Sequence, residues 1–175
     1  TFFEPTLIEK EKHSGDIFTP VILRLCDKAL KAGGSVVLLS RTNDIPWYID
    51  YGKKKYKGKK LDKYLELIRD YFPENLAGNI DISTTHSYKG REKDIVIVID
   101  GTDKRYPLLH QTWIFNRIFG DTLEKLIEDE RRLFYVACTR AINYLFIVTQ
   151  GEIGKNELSI KTPFLKNVDI KSVNW

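Results

Sequence analysis

The segment Asp94–Asp100, with the sequence DIVIVID, decides the fold of this chain. Its central residues are all apolar, so a strand built from them would be buried on both faces. That pattern is typical of a central strand in a parallel sheet. The continuous apolar run Ser35–Ser40 (SVVLLS) predicts a second buried strand, and Ile80–Ser83 predicts a third.

Helical patterns alternate with these strands. Apolar residues recur at helical spacing before and after the first strand, in Pro20–Lys31 and Leu61–Tyr71. Asp121 and Glu124 form a capping pattern that predicts the start of a long helix, which the strand Tyr144–Thr149 follows. This alternation predicts an α/β domain with a largely parallel sheet.

The composition limits the class of protein. The chain has 175 residues, 42% of them hydrophobic and 30% charged, which is enough for one globular core. Its net charge of +4 permits a nucleic-acid partner without requiring one. No apolar run approaches the roughly 20 residues of a membrane helix. Cys26 and Cys138 fit a reducing compartment, and no Cys/His cluster has zinc spacing, so we expect a cytoplasmic protein without a metal site of its own.

Three segments carry the chemistry. They are Val36–Asn43 (VVLLSRTN), Ser83–Val98 (STTHSYKGREKDIVIV) and Asp129–Thr149 (DERRLFYVACTRAINYLFIVT). In this order they resemble the C-terminal motor domain of UvrD/Rep/PcrA-like superfamily 1 DNA helicases. The resemblance covers roughly residues 20 to 150 and implies a RecA-like fold without a P-loop of its own.

The resemblance also implies a domain organisation. Residues 1–150 would form the RecA-like domain, and residues 151–175 a C-terminal extension. Residues 44–79 would be a small insertion where relatives carry a large accessory domain. This insertion contains the run YGKKKYKGKK at residues 51–60, whose lysines and tyrosines suit either nucleic-acid contact or a solvated surface.

Arg140, the candidate catalytic residue, lies near the end of the predicted long helix, from where its guanidinium can reach past the edge of the domain. The resemblance implies that it is an arginine finger, acting on ATP across an inter-domain cleft. Such a residue can accelerate phosphoryl transfer by about 10³–10⁵. From the residue alone, the alternative is an arginine that pairs with a carboxylate at a helix end.

The loop Thr85–Glu92 (THSYKGRE) links two predicted strands, where α/β domains place ligands. Its hydroxyl, imidazole and ammonium groups suit phosphate oxygens of a nucleic-acid backbone. With the resemblance, this chemistry assigns Thr85, His86 and Lys89 to single-stranded DNA. The alternative for His86 is a structural histidine.

The same loop would also reach the nucleotide. The resemblance implies that Glu92 contacts the nucleotide sugar, whereas from the residue alone it is a surface carboxylate. Gly90 would permit close backbone approach and joins Glu92 and Arg140 in the expected ATP site. Arg91 and Lys93 depart from the apolar and aromatic residues common in relatives, so Lys93 would add charge near the DNA path.

Other positions have weaker signals. The resemblance places Asn43 and Thr42 near DNA, although an Asn-Asp turn explains them equally simply. Glu130 falls on the apolar stripe of the long helix and should be paired, with a structural role favoured over a catalytic one. Arg132, four residues after Glu128, predicts a surface ion pair. The aromatic segment Tyr106–Phe119 favours core packing over base stacking.

The sequence contains no G-x-x-x-x-G-K-[ST] motif. We therefore expect ATP and Mg²⁺ to be held mainly by an N-terminal RecA-like domain, and this chain alone to hydrolyse no ATP. The implied activity is that of an ATP-dependent DNA helicase, with 3′ to 5′ movement taken from the resemblance. An RNA-directed helicase, a helicase–nuclease subunit and a non-catalytic nucleic-acid-binding or interaction module remain alternatives. The pathway, for example DNA repair, stays open.

Overall fold

The computed structural model describes residues 19–44, 61–109, 122–149 and 162–166. Four strands form a sheet in the order β2-β1-β3-β4, and every neighbouring pair is parallel. They are β1 (Val36–Ser40), β2 (Ile80–Thr84), β3 (Lys93–Val98) and β4 (Ala141–Ile147). This confirms the predicted α/β, RecA-like class, and the DIVIVID segment supplies the interior strand β3.

The helices lie on both faces of the sheet. They are α1 (Thr19–Lys31), α2 (Leu61–Arg69), the short α3 (Glu74–Ala77) and α4 (Leu123–Cys138), and a 3-10 turn spans Pro163–Leu165. None of the helices in the described ranges has the length and apolar character that a membrane crossing requires.

One face of the sheet packs against α1 and α2. Its core combines alternate strand residues with the apolar stripes of the two helices: Ile22, Cys26, Leu30, Val36, Leu38, Leu61, Tyr64, Ile68, Ile80, Ile95 and Ile97. Burying each aliphatic side chain contributes about 1.5–3 kcal/mol. A buried hydrogen bond of 2.9 Å between Thr19 Oγ1 and the Tyr64 hydroxyl joins the two helices.

The opposite face packs against α4 and the loop 85–92. Its core consists of Val37, Leu39, Val96 and Val98 from the sheet, with Tyr88, Tyr106, Phe134 and Ala137 above them. Because β2 and β3 are separated by β1, the loop between them crosses this face, where the buried Tyr88 packs against the core. The loop therefore runs from the carboxyl end of the sheet to its amino end.

Two predicted boundaries were wrong. The N-cap of α4 is Thr122, whose Oγ1 accepts a 3.2 Å hydrogen bond from the Lys125 N–H, and not Asp121. Strand β4 begins at Ala141, three residues before the predicted Tyr144, because its pairing with β3 starts at Lys93. Ile142 and Asn143 are exposed, so a run of buried residues does not mark the start of the strand.

The second half of the predicted insertion 44–79 is part of the core. Leu61, Tyr64 and Ile68 of α2 are each at most 2% exposed and pack on the first face of the sheet. The predicted extension also contributes, because Thr162 Oγ1 donates a 2.6 Å hydrogen bond to the Tyr106 carbonyl. The 51–60 lysine run lies outside the described residues.

Candidate functional site

Arg140 lies at the amino end of the sheet, in the turn between α4 and β4. Helix α4 ends at Cys138, and Thr139 is its C-cap. The Arg140 carbonyl accepts a 3.1 Å hydrogen bond from the Lys93 N–H. Because Ala141 is paired with Lys93, Arg140 and Glu92 immediately precede paired residues of adjacent strands.

The Arg140 guanidinium is held by three neutral acceptors. Its Nε donates to the Val136 carbonyl at 3.0 Å, its Nη2 to Thr139 Oγ1 at 3.1 Å, and its Nη1 to the Arg91 carbonyl at 3.3 Å. None of these acceptors is a carboxylate, so the bonds orient the guanidinium without neutralising its charge. The alternative of a carboxylate partner at the helix end was therefore wrong for the described residues. The side chain is half-buried and retains N–H donors for a ligand.

Gly90 and Glu92 belong to the loop that Arg140 touches. Gly90 has a φ of 82°, the left-handed conformation that glycine adopts at little cost. A Cβ there would meet no atom within 4 Å, so the backbone conformation, rather than crowding inside this chain, requires the glycine. Glu92 is exposed, and its carbonyl accepts a 3.4 Å hydrogen bond from the Tyr88 hydroxyl.

The two departures from the helicase pattern have structural explanations. Tyr88, 4% exposed, fills the space beneath the loop, and the exposed Arg91 lies over its ring at 5.9 Å. Lys93 forms a 2.8 Å ion pair with Asp81 on β2. Because Lys93 begins β3, it lies at the amino end of the sheet, away from Thr85 at the carboxyl end.

Thr85 lies at the carboxyl end of the sheet and is buried. Its N–H donates to the Ser40 carbonyl at 2.9 Å, which fastens the loop to the end of β1. Its hydroxyl is 2.8 Å from the Tyr106 hydroxyl and 3.4 Å from the same carbonyl. With Thr85 only 1% exposed, direct contact between its side chain and DNA, as the sequence predicted, does not fit this structure. Thr85 positions the loop instead.

His86 and Lys89 follow Thr85 and are both exposed. Asn43 is exposed beyond the end of β1, and its carbonyl accepts a 3.1 Å hydrogen bond from the Leu61 N–H at the start of α2. Thr42 is half-buried, and its Oγ1 accepts from Arg105 Nη1 at 3.2 Å. The two segments that contain the predicted DNA-binding residues therefore start side by side, where β1 and β2 end.

The predicted ATP and DNA residues lie toward opposite ends of the sheet. Arg140 and Glu92 precede β4 and β3, whereas Asn43 and Thr85 follow β1 and β2. The six residues of β3 separate the two ends by roughly 16 Å at about 3.3 Å per residue. On the face of the sheet that α4 covers, the crossing loop and α4 extend from one end toward the other.

Sequence reasoning missed the role of Arg41. Its Nε donates to Glu130 Oε2 at 2.9 Å and its Nη2 to Oε1 at 2.5 Å, which makes a bidentate ion pair. Hydrogen bonding to Glu130 raises the pKa of Arg41 above its ordinary value. The prediction that Glu130 is paired is confirmed. The signal in the sequence was a carboxylate on an apolar stripe, but that signal did not identify the partner.

Asp100 was also missed, although it lies only two residues after the end of β3. Its Oδ2 accepts hydrogen bonds of 2.9 Å from Ser40 Oγ and from the Arg41 N–H. Burial raises the pKa of this carboxyl, while the bonds from Arg41 and Ser40 oppose the rise. Asp100 thereby fixes the backbone directly after β1, at the residue that precedes Thr42.

The remaining predictions have mixed outcomes. Arg132 is 72% exposed and pairs with Glu128 at 3.4 Å, so the predicted surface pair is confirmed. Tyr106 is fully buried, as core packing requires, whereas residues 110–119 of the aromatic segment lie outside the described residues. In the described part of the chain, no three His, Cys, Asp or Glu side chains form a group that could hold a metal ion.

The sequence is similar to that of known helicases. The sequence model of the family described as UvrD-like helicase C-terminal domain matches residues 48–152. The chain is 31% identical over 109 residues to the ATP-dependent DNA helicase UvrD1 of Mycobacterium leprae, which covers 61% of this chain and 13% of that protein. It is 33% identical over 113 residues to a probable DNA helicase of Mycoplasma pneumoniae, covering 65% of this chain and 20% of the relative.

A third relative is the ATP-dependent DNA helicase PcrA of Staphylococcus epidermidis. It is 28% identical over 107 residues, which cover 59% of this chain and 14% of the relative. In all three comparisons the match spans a fifth or less of the relative's length.

Proposed function

Because this chain belongs to the UvrD-like helicase C-terminal domain family, we propose that it is the second motor domain of an ATP-dependent DNA helicase. In this proposal the whole protein moves 3′ to 5′ along single-stranded DNA in the cytoplasm. Residues 1–150 form the motor domain, with a small insertion within 44–79 and an extension at 151–175. The N-terminal RecA-like domain of the same protein is its immediate partner.

The juxtaposition of Arg140 with the Gly90–Glu92 loop carries the proposal. The 3.3 Å bond from Arg140 Nη1 to the Arg91 carbonyl fastens a charged guanidinium to the loop, one residue after the left-handed Gly90. Within the described residues, the three acceptors of this guanidinium are uncharged, so its positive charge is available to an anionic ligand. A half-buried arginine with unneutralised charge fits a triphosphate, whose charge shifts during transfer.

Arg140 then acts as an arginine finger on ATP held by the N-terminal domain. Its guanidinium stabilises the charge that develops on the γ-phosphate oxygens, an effect of about 10³–10⁵ in rate. Glu92, exposed beside it, accepts a hydrogen bond from the nucleotide sugar, and Gly90 gives the loop its conformation. The N-terminal domain supplies the P-loop and holds Mg²⁺, so this chain alone hydrolyses no ATP.

Single-stranded DNA binds at the carboxyl end of the sheet. His86 and Asn43 are exposed there, and Lys89 is exposed three residues further along the crossing loop. All three present donors to backbone phosphates, which fix position without reading sequence. Thr42 and Thr85 position these residues rather than contact DNA themselves, because their hydroxyls are hydrogen-bonded to Arg105 and Tyr106, respectively. Closure of the two motor domains on ATP and opening after hydrolysis would move the protein along the strand.

The ATPase rate of the full-length protein tests this function. We expect single-stranded DNA to stimulate turnover and single-stranded RNA of the same length to stimulate it far less. We also expect a duplex with a 3′ single-stranded tail to be unwound in preference to one with a 5′ tail. Stimulation by RNA alone would favour an RNA-directed helicase. DNA binding without any turnover would favour a non-catalytic module.

A further inference from the structure

The Arg41–Glu130 ion pair joins α4 to the end of β1. Both side chains are shielded, at 15% and 14% exposure, and two parallel hydrogen bonds fix their relative orientation. A bidentate pair of this kind has a geometry that a lysine does not reproduce. Arg41 directly precedes Thr42 and Asn43, and its N–H is fixed to Asp100. The pair therefore connects a helix to the segment proposed to contact DNA.

The Glu130 carboxylate holds a second segment at the same end of the sheet. Its Oε2 also accepts a 3.0 Å hydrogen bond from the Leu108 N–H. Leu108 ends a stretch that includes Arg105, which binds Thr42, and Tyr106, which binds Thr85. One carboxylate on α4 is thus linked to both segments that position the predicted DNA residues.

Helix α4 extends from this junction to the nucleotide side. Glu130 and Cys138 are eight residues apart in one helix, a separation of about 12 Å at 1.5 Å per residue. The turn that follows the helix carries Arg140, which is bonded back to the Val136 carbonyl in its last turn. A displacement of Arg140 during ATP hydrolysis would therefore displace the helix and Glu130 with it.

We propose that Arg41 and Glu130 are a positioning pair that couples the nucleotide end of this domain to its DNA end. The inference rests on the proposed function, and it goes further by assigning the coupling to one ion pair. Shielded ion pairs are not in general needed for stability, because well-packed apolar residues often replace them without loss. Coupling requires an element whose arrangement both sites influence, and α4 with its Glu130 junction is such an element.

Steady-state ATPase measurements on the full-length protein test the pair. The variants are Glu130→Gln, Arg41→Lys and the double variant, with Glu128→Gln as the matched control. Glu128 lies on the same helix, but its ion pairs with Arg131 and Arg132 are on the surface. For each protein, turnover is measured with and without single-stranded DNA, and the melting temperature is recorded.

The ratio of DNA-stimulated to basal turnover is the decisive quantity. We expect this ratio to fall about 10-fold in Glu130→Gln and in Arg41→Lys. It should fall no further in the double variant, because each substitution removes the same coupling. In Glu128→Gln it should stay near the wild-type ratio. A purely structural pair would lower the melting temperature and leave this ratio unchanged.

A wild-type ratio in a folded Glu130→Gln protein would overturn the inference and leave the proposed function intact. If Glu130→Gln does not fold, Arg41→Lys decides, because it keeps the charge at this position. A wild-type protein without DNA-stimulated turnover would overturn the proposed function and this inference together.

Discussion

Replacing Tyr106 with phenylalanine isolates the hydrogen bond that holds the Thr85 loop. Tyr106 is fully buried and Thr85 is 1% exposed, so water does not replace the lost partner. The edge-to-face packing of this ring on Phe134, with centroids 4.9 Å apart, survives in the variant. Only the 2.8 Å bond to Thr85 Oγ1 is removed, which leaves that hydroxyl with the Ser40 carbonyl at 3.4 Å.

The expected cost of Tyr106→Phe is about 1–2 kcal/mol, because a buried hydroxyl loses its better partner. For a chain of this size, that cost corresponds to a fall of about 2–8 °C in melting temperature. Thr85→Val removes the hydrogen-bond partner of the Tyr106 hydroxyl and should lower the free energy of unfolding by a similar amount. The double variant removes both hydroxyls, so its cost should be smaller than the sum of the single costs by about 1 kcal/mol or more.

Urea unfolding of the wild type, the two single variants and the double variant gives the four free energies of unfolding. Additive costs would refute the account, because they would mean that the two hydroxyls do not interact in solution. An unchanged stability in Tyr106→Phe would refute it as well.

Two further predictions concern charge. Burial raises the pKa of Asp100, so its stabilising contribution is fully present below the unfolded value of about 3.9 and is lost as pH rises through the folded value. The stability of wild type relative to Asp100→Asn should therefore decline as pH rises above about 4, and urea unfolding that gives a pH-independent difference would contradict this. Lys89→Ala should weaken single-stranded DNA binding and reduce the magnitude of the salt slope of log K by about 0.7, as measured by fluorescence titration. The control Lys63→Ala, at an exposed lysine paired with Glu66, should leave that slope unchanged.

The sheet was predictable because its strands are short, apolar runs. The DIVIVID segment has the pattern of a strand covered on both faces, and β3 is indeed interior. The start of β4 was not predictable in this way, because Ile142 and Tyr144 are more than 60% exposed despite being apolar. At those positions apolarity does not indicate burial.

The site was only partly predictable, since the spacing of residues along the chain does not show how deeply each side chain is buried. Thr85 and His86 are adjacent in sequence, yet the first is buried against Tyr106 and the second is exposed. The partner of Glu130 lies 89 positions away, and helical periodicity carries no information about so distant a contact. The motif identified Arg140, but its three neutral acceptors follow from the fold.

In the proposed function, Arg140 promotes phosphoryl transfer. Its most direct test is the DNA-stimulated ATP turnover of the full-length protein with Arg140→Ala, beside the control Arg132→Ala on the exposed side of α4. We expect Arg140→Ala to lose about 10³-fold or more in kcat with little change in ATP affinity, and Arg132→Ala to stay near wild type. Near-normal turnover in Arg140→Ala would contradict the account, because the residue at the amino end of the sheet would then not act on the transferring phosphoryl group.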